Sequence, residues 1–283
     1  KVKWERLLNI KARERDEEFN INHAKLAMAA QLICEEIVLS LATRLKELTG
    51  LKRLCLAGGV ALNCVSNGRL IESKIFEEVF IQPASSDAGG ALGAALAYYF
   101  VNNDYIPNKQ LHSFFGPKYS DKEIEKTLKN KGLSYKLYDD SGVFEKTSEY
   151  LSKGSIVAWF QDRMEFGPRA LGNRSILADP SFDNAQDKIN SKVKKREGFR
   201  PFAPIMIMGE AEKYFGIPQA SPFMLQVHTM NKPYLFDLPE DYNDLSIVDK
   251  RRFKKSIFPS ITHADGSSRI QTVDENSSVE MSL

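Results

Sequence analysis

Two consecutive strand–turn–helix units between residues 53 and 101 restrict the possible folds more than any other pattern in the chain. The first joins a short apolar strand, Arg53–Ala57, to a helix through a Gly-Gly turn. The second joins the strand Glu78–Gln82 to an Ala- and Tyr-rich helix through the segment Pro83–Gly90. Strands that are separated by helices of this length pair in parallel, so we expect an α/β fold.

A long helix is predicted upstream, over residues 22–49. Apolar residues recur there at three- and four-residue steps, as an amphipathic helix requires, and Gly50 is placed to end the helix. The repeating residues are Leu26, Ala30, Ile33, Ile37, Leu41, Leu45 and Leu48.

A polar segment that contains proline, Asn102–Lys109, is predicted to link two domains, residues 1–107 and 108–283. A length of 283 residues accommodates about two domains. After this linker the pattern restarts, and Ser120–Glu123 is a capping box that opens a helix. Further strands are predicted at residues 134–138, 155–160, 204–208 and 223–228, and the strand at 155–160 is expected to be buried. Further helices are predicted at 143–152, 183–196 and 210–215, and a solvated charged insert at 249–255.

The composition is that of a soluble globular protein, with 42 % apolar and 27 % charged residues. A formal net charge of +2 supplies no global field for nucleic acid or a membrane surface. No run of about 18 apolar residues predicts a transmembrane helix. Cys34, Cys55 and Cys64 lack metal-site spacing and are expected to be buried free thiols in a reducing compartment. We therefore expect a cytoplasmic protein, with neither a membrane nor a nucleic acid as partner.

Arginines are concentrated between residues 159 and 204. Guanidinium groups repel one another, and their planar fork fits phosphate or carboxylate oxygens, so a bound anion would offset the repulsion. Glycine and proline in the same stretch predict a shaped loop. The pattern therefore predicts a pocket for a phosphorylated small molecule, and the alternative is a solvated basic face with local salt bridges. The candidate ligands are Arg163, Arg169, Asn173, Arg174, Arg196 and Arg200, whereas Lys188, Lys192, Lys194 and Lys195 are expected to face solvent.

Three other segments are candidate sites. Gly58, Gly59 and Asn63 join a strand to a helix, where backbone N–H groups can approach an anion; the alternative is a tight turn. Asp87 follows a strand at the carboxyl edge of the predicted sheet, where it would hold a metal or orient a hydroxyl; the alternative is a helix N-cap.

The third segment is Thr262–Gln271. His263 and Asp265 form a His-x-Asp pair that would orient an imidazole, and alternation would place Arg269 and Gln271 on one face of a strand. The alternative for this segment is a hydrogen-bonded hairpin turn.

Taken in order, these motifs resemble the O-carbamoyltransferases of the nodulation protein U type, which include antibiotic-tailoring carbamoyltransferases. The resemblance covers most of residues 25–273. It is carried by Ala57–Asn63, Pro83–Gly89, Met164–Ser175, Arg196–Pro204 and Thr262–Gly266.

The resemblance implies that the chain is a C-terminal fragment of such an enzyme. Residues 1–107 would be the C-terminal lobe of an actin/hexokinase-like ATPase module. Residues 108–283 would be a YrdC-like α/β domain that is incomplete at its C-terminus. The second module is implied to convert carbamoyl phosphate and ATP into carbamoyl adenylate, and the first to pass the carbamoyl group to a hydroxyl of a sugar or secondary metabolite.

The resemblance also implies roles for the candidate residues. Gly58, Gly59 and Asn63 would bind the nucleotide, and Asp87 would bind a divalent metal, iron, with Mg²⁺ accompanying ATP. Most of the metal ligands are expected to be missing from this fragment. The expected catalytic residues are Arg169, Asn173 and Arg200, and the expected substrate-binding residues are Arg163, Arg174, Arg196, His263 and Asp265.

Three function classes remain open at this point. The first is an ATP-dependent carbamoyltransferase, of which this fragment is not expected to be fully active alone and which would pair as a homodimer. The second is an RNA-binding or tRNA-modifying protein of the YrdC or threonylcarbamoyl type, against which the net charge of +2 argues. The third is a non-catalytic nucleotide-binding module.

Overall fold

The computed structural model describes residues 2–14, 17, 19–103, 112–246, 249–250 and 253–274. The helices are α1 (Val2–Leu8), α2 (Ile21–Thr49), α3 (Cys64–Glu72), α4 (Asp87–Asn103), α5 (Asp121–Asn130), α6 (Asp140–Ser152), α7 (Ala185–Lys188, continued by a π-helical turn Ile189–Lys194) and α8 (Met208–Phe215). The strands are β1 (Arg53–Leu56), β2 (Glu78–Ile81), β3 (Val157–Phe160), β4 (Arg174–Leu177), β5 (Ile205–Ile207), β6 (Gln226–Thr229) and β7 (Ser267–Val273).

The N-terminal half follows the predicted strand–turn–helix order. β1 pairs in parallel with β2, from Arg53 opposite Glu78 to Leu56 opposite Ile81. α2 begins at a capping box made by Asn20 and ends at Gly50, whose φ of 64° suits glycine. Ala42, Leu54, Leu70 and Val79 join one buried cluster, so α2, α3 and the sheet share a core.

The C-terminal half contains two small sheets. β3 pairs with β4 in an antiparallel hairpin. β7 lies between β5, to which it is parallel, and β6, to which it is antiparallel. The core of the C-terminal half lies between α8 and β7 and includes Phe215, Met230 and Ile270. The whole is a mixed α/β structure with small sheets, as the predicted class requires.

The two halves are joined by the packing of α3 on β6. The Asn67 amide is fully buried and donates to the carbonyls of Ala61 and Leu225, both at 2.9 Å. The helix approaches the strand so closely at Gly68 that an added Cβ would lie 2.2 Å from the Val227 carbonyl oxygen. A residue without a side chain is required at this position.

Several predictions from the sequence are wrong. Residues 134–138 form no strand, because their side chains are exposed and no second strand lies beside them within the described part of the chain. β3 is half-exposed rather than buried. Lys255, in the predicted solvated insert, is buried, and its ammonium donates to the carbonyls of Lys250 and Phe253.

The predictions for the cysteines and for the domain boundary have different outcomes. The three cysteines are free thiols, but Cys55 is exposed and Cys34 and Cys64 are half-buried, so the expectation of burial is wrong. Asn102 and Asn103 belong to α4, and the rest of the predicted linker, with the boundary after residue 107, lies outside the described residues.

The sequence predicted no transmembrane helix, but α2 meets the length and composition criteria for one. It has 29 residues with a mean hydropathy of 1.6 in its most apolar window, of which 11 % is buried. By length and composition alone it is long enough to cross a bilayer. A core helix of a larger soluble structure meets the same criteria.

We expect Gly68→Ala to destabilise the chain by several kcal/mol, because the new methyl group would force α3 away from the β6 backbone. Urea unfolding of this chain measures the change. Gly93→Ala on α4 is the matched control: its Cβ would meet no atom within 4 Å, and alanine favours a helix by about 1 kcal/mol. Equal effects of the two substitutions would contradict the tight contact.

Acid should destabilise the junction through His228. Burial lowers the pKa of His228 to about 4 from an ordinary 6.5, and the Glu72 carboxylate, 3.6 Å from Nδ1, is too distant for a hydrogen bond. Below pH 6.5 the unfolded state therefore binds a proton that the folded state excludes, and stability falls as the pH decreases. Between pH 7 and pH 5 this group removes about 2 kcal/mol of unfolding free energy. Urea titrations should show a smaller loss in His228→Gln.

Candidate functional site

A cavity of about 510 Å³ lies where the two halves meet. Its wall combines Cys64, the first residue of α3, with loops and strands of the C-terminal half. Among the described residues, no aspartate or glutamate lines it. The cationic lining residues are Arg169, Lys194, Arg196, Arg200 and Arg269, with His263 and Gln271 beside them.

Arg169 crosses between the halves at the side of the cavity that Cys64 lines. Its Nη2 donates to the Leu62 carbonyl at 3.1 Å, and its Nε is buried with no acceptor among the described residues. Burial lowers the pKa of Arg169, partly offset by the nearby Cys64. Because arginine stays protonated in proteins, the result is a desolvated cation rather than a neutral base.

Arg269 on β7 is a second desolvated guanidinium in the same place. Burial lowers its pKa, the charge of Arg169 lowers it further, and a hydrogen bond with the Cys64 side chain opposes both effects. Its Nε also has no acceptor among the described residues. Two neighbouring buried cations favour a bound anion.

Arg196 and Arg200 enter from the loop after α7. Nε of Arg196 donates to Asn190 Oδ1 at 2.7 Å, and its guanidinium lies 5.1 Å from the Phe202 ring centroid. Burial lowers the pKa of Arg196, as do the charges of Arg200 and Arg269. The buried Asn190 amide also donates to the Arg200 carbonyl at 2.9 Å, which holds the loop. Arg200 itself is half-exposed and pairs with Glu197 at 3.0 Å.

His263 also lines the cavity. Its Nδ1 lies 3.0 Å from Ser267 Oγ, and its Nε2 has no partner among the described residues. Burial lowers the pKa of His263, although Asp265 opposes this, so the imidazole is neutral at neutral pH. Asp265 is exposed and accepts from the Ser267 N–H and hydroxyl at 3.0 and 2.6 Å. The His-x-Asp pair therefore acts through Ser267 rather than by direct contact.

The structure places Arg163, Asn173 and Arg174 outside the cavity lining. The buried Glu165 carboxylate accepts from the Leu171 N–H at 2.6 Å and from Arg174 Nε at 2.9 Å. Burial alone would raise the pKa of Glu165, but these donors hold it below its ordinary value. Arg174 thus neutralises a carboxylate of the protein and fixes the loop.

Asn173 and Arg163 likewise make contacts within the protein. The Asn173 amide is fully buried and donates to the Arg163 carbonyl at 2.7 Å. Arg163 Nη1 donates to the Gly116 carbonyl at 3.2 Å, beside a separate cavity of about 340 Å³.

The predicted nucleotide loop and metal ligand also lie outside the cavity lining. Gly58 has a φ of 93°, and an added Cβ on Gly58 or Gly59 would meet nothing within 4 Å, so this backbone is open. Asn63 caps α3, accepting from Ser66 N–H at 3.2 Å. Asp87 is exposed at the start of α4, and among the described residues no group of three or more His, Cys, Asp or Glu converges.

Cys64, Lys194, Arg269 and Gln271 also line the cavity, although no catalytic or binding role was predicted for any of them. The alternation in β7 gave the signal for Arg269 and Gln271, and both do lie on one face of that strand. Lys194 was expected to face solvent; it is exposed and also lines the cavity. Nothing in the sequence distinguished Cys64 from Cys34 or Cys55.

Comparison with known sequences now identifies the family. The model of the carbamoyltransferase N-terminus matches residues 3–96, and that of the carbamoyltransferase C-terminus matches residues 148–282. The chain belongs to the carbamoyltransferase family. All the cavity arginines fall in the C-terminal match, and Cys64 falls in the N-terminal one.

Individual relatives support the assignment. An uncharacterised protein of Synechocystis is 43 % identical over 88 % of this chain and 42 % of its own length. The nodulation protein NolNO of Sinorhizobium fredii is 39 % identical over 95 % of this chain and 38 % of its own length. Nodulation protein U of Rhizobium fredii is 30 % identical over 81 % of this chain and 34 % of its own length, which confirms the predicted resemblance. The chain thus spans about two-fifths or less of each relative.

We expect Glu165→Gln to destabilise the chain by about 2 kcal/mol, because it would turn an amide N–H toward the Arg174 guanidinium in a buried loop. Urea unfolding measures this loss. Glu197→Gln at the exposed Arg200 pair is the control and should leave unfolding unchanged. A neutral Glu165→Gln would show that the loop does not need this ion pair.

Proposed function

We propose that a protein carrying this chain transfers a carbamoyl group from carbamoyl phosphate to a hydroxyl of a sugar or other small molecule. The proposed reaction is ATP-dependent and passes through carbamoyl adenylate. The observation that carries the proposal is the convergence of Arg169, Arg196, Arg200 and Arg269 on one cavity, in whose wall the described part of the chain places no acidic residue. Membership of the carbamoyltransferase family supports the choice of carbamoyl phosphate as the anion.

The cavity suits phosphoryl chemistry because that chemistry depends on positioning and charge. Water first releases inorganic phosphate from carbamoyl phosphate, which leaves carbamate. A carbamate oxygen then attacks the α-phosphorus of ATP, negative charge develops on the phosphoryl oxygens, and pyrophosphate leaves. AMP leaves in turn when the acceptor hydroxyl takes the carbamoyl group and gives up its proton. Guanidiniums fixed in advance in a partly dry site stabilise such charge without reorganisation. We assign this role to Arg169 and Arg269, which are the more buried pair, and we assign the positioning of an outer phosphate to Arg196 and Arg200.

His263 would bind substrate in its neutral form. Because burial lowers its pKa, the imidazole adds no charge to the cavity at neutral pH. Its Nε2 is then available to hydrogen-bond a polar group of the ligand, such as the carbamoyl amide.

The metal prediction has no geometric support in the described residues. An exposed carboxylate alone, that of Asp87, would hold iron weakly. No step of the proposed reaction is therefore assigned to a metal ligand of this chain. Nucleotide binding by Gly58, Gly59 and Asn63 stays a proposal; the open backbone at the two glycines supports it.

The fold assignment is also a proposal. The parallel β1–β2 pair and the N-terminal family match support an ATPase-like lobe in the first half. The mixed sheet around β7 and the C-terminal family match support a YrdC-like domain in the second half.

The proposal is tested by pyrophosphate release from ATP in the presence of carbamoyl phosphate, measured on the complete protein. We expect Arg169→Ala and Arg269→Ala each to reduce the rate by two or more orders of magnitude, since lost phosphate contacts cost several kcal/mol. Lys213→Ala removes an exposed cation of the same domain and should keep the full rate. Unchanged turnover in both arginine variants would exclude the cavity from the reaction.

Two binding experiments separate the alternatives. ATP binding without any carbamoyl-phosphate-dependent turnover would indicate a non-catalytic nucleotide-binding module. Tight tRNA binding that weakens steeply with salt would indicate an RNA-binding protein.

A further inference from the structure

One buried amide contacts both ends of the loop that brings Arg196 and Arg200 to the cavity. Asn190 lies in the π-helical turn after α7 and is 1 % exposed. Its Oδ1 accepts from Arg196 Nε at 2.7 Å, and its Nδ2 donates to the carbonyls of Arg200 at 2.9 Å and Gly198 at 3.3 Å. The Asn190 backbone carbonyl also accepts from the Arg196 N–H at 3.0 Å. The positions of both arginines therefore depend on this one residue.

The contacts of Asn190 require an amide side chain. A guanidinium N–H can only donate and a backbone carbonyl can only accept, so the side chain between them must supply an acceptor on one side and a donor on the other. An ionised carboxylate has no donor, and an apolar side chain has neither group. Because the position is buried, a group left without a partner there is costly.

The acceptor that Asn190 offers is also uncharged, and this distinguishes Arg196 from Arg174. The Glu165 carboxylate accepts from Arg174 Nε at 2.9 Å and neutralises that arginine. Asn190 Oδ1 accepts from the same atom of Arg196 but leaves its positive charge in place. Among the described residues, no other group of the protein accepts a hydrogen bond from the Arg196 side chain, so Nη1 and Nη2 stay available to an anion in the cavity.

We propose that Asn190 is a positioning residue of the anion cavity. Its amide orients Arg196 directly, and Arg200 through the backbone, for contact with a bound phosphate, and it does so without cancelling their charge. The exposed pair of Arg200 with Glu197 restrains that side chain only weakly. The inference rests on the proposed function, since a phosphate must bind in this cavity, and the first test therefore measures binding rather than turnover.

We expect Asn190→Asp to weaken the binding of inorganic phosphate to the complete protein by about tenfold or more, as measured by titration calorimetry. The carboxylate would neutralise Arg196 and would meet the Arg200 carbonyl without a donor. Asn184→Asp adds the same charge at the exposed N-cap of α7 and should leave phosphate binding unchanged. Equal binding by Asn190→Asp and the unchanged protein would overturn this inference alone. Absence of phosphate binding by the unchanged protein would overturn the proposed function as well.

A second variant separates the uncharged acceptor from the order of the loop. Asn190→Ala leaves Arg196 charged but no longer oriented, so we expect it to bind phosphate more weakly than the unchanged protein and more tightly than Asn190→Asp. Equal losses in the two variants would contradict the need for an uncharged acceptor. Arg196→Ala should weaken binding in the unchanged protein and have little further effect in Asn190→Asp, whose carboxylate already neutralises that charge. The same loss in both backgrounds would contradict the inference.

Steady-state rates of pyrophosphate release distinguish positioning from a purely structural role. Because Arg196 and Arg200 are assigned to an outer phosphate, Asn190→Ala should raise the KM for carbamoyl phosphate or for ATP and leave kcat nearly unchanged. A variant that is partly unfolded would instead lose kcat at an unchanged KM, and that result would contradict the positioning role.

Discussion

The contact between α3 and β6 is the constraint on which the candidate site depends. α3 carries Cys64 at its first turn, and the helix can bring that residue to the arginines only because Gly68 lets it rest directly on the Val227 carbonyl. The buried Asn67 amide donates to one carbonyl on each side of the junction, so the close approach still gives these two buried backbone groups a partner. Hydrogen bonding and shape, rather than apolar area alone, set how the halves meet. If α3 shifted along β6, the part of the cavity wall that α3 carries would move with it.

The arginines are of two kinds, which differ in whether a carboxylate of the protein pairs with them. Arg174 is neutralised by Glu165 inside the loop, and that pair holds the backbone from Glu165 to Arg174 in shape. Arg169 and Arg269 pair with no carboxylate among the described residues, and the charge of Arg169 acts on Arg269 beside Cys64. Placing two such cations together is unfavourable without a ligand. The loop therefore uses one buried ion pair as scaffold and keeps other guanidiniums for an anion.

Much of the fold was predictable from local pattern. The long helix, the parallel β1–β2 units and the α5 capping box were recovered because their signals are short-range: periodicity, glycine turns and a Ser-x-x-Glu cap. Residues 134–138 were misassigned because alternation of apolar and polar residues does not show whether a second strand is available. The same limit explains why β3 was expected to be buried and is half-exposed.

The site was predictable as a region but not residue by residue. Clustered arginines predicted an anion pocket, and three of them, Arg169, Arg196 and Arg200, do share a cavity. The sequence could not tell which arginine a carboxylate would neutralise, since Glu165 is nearer in sequence to Arg163 and Arg169 than to Arg174, with which it pairs. Cys64 and Arg269 come together from positions about two hundred residues apart through the α3–β6 packing. Only the tertiary contact that Gly68 permits places these two residues together, and so the chemistry of the cavity follows from the junction between the halves.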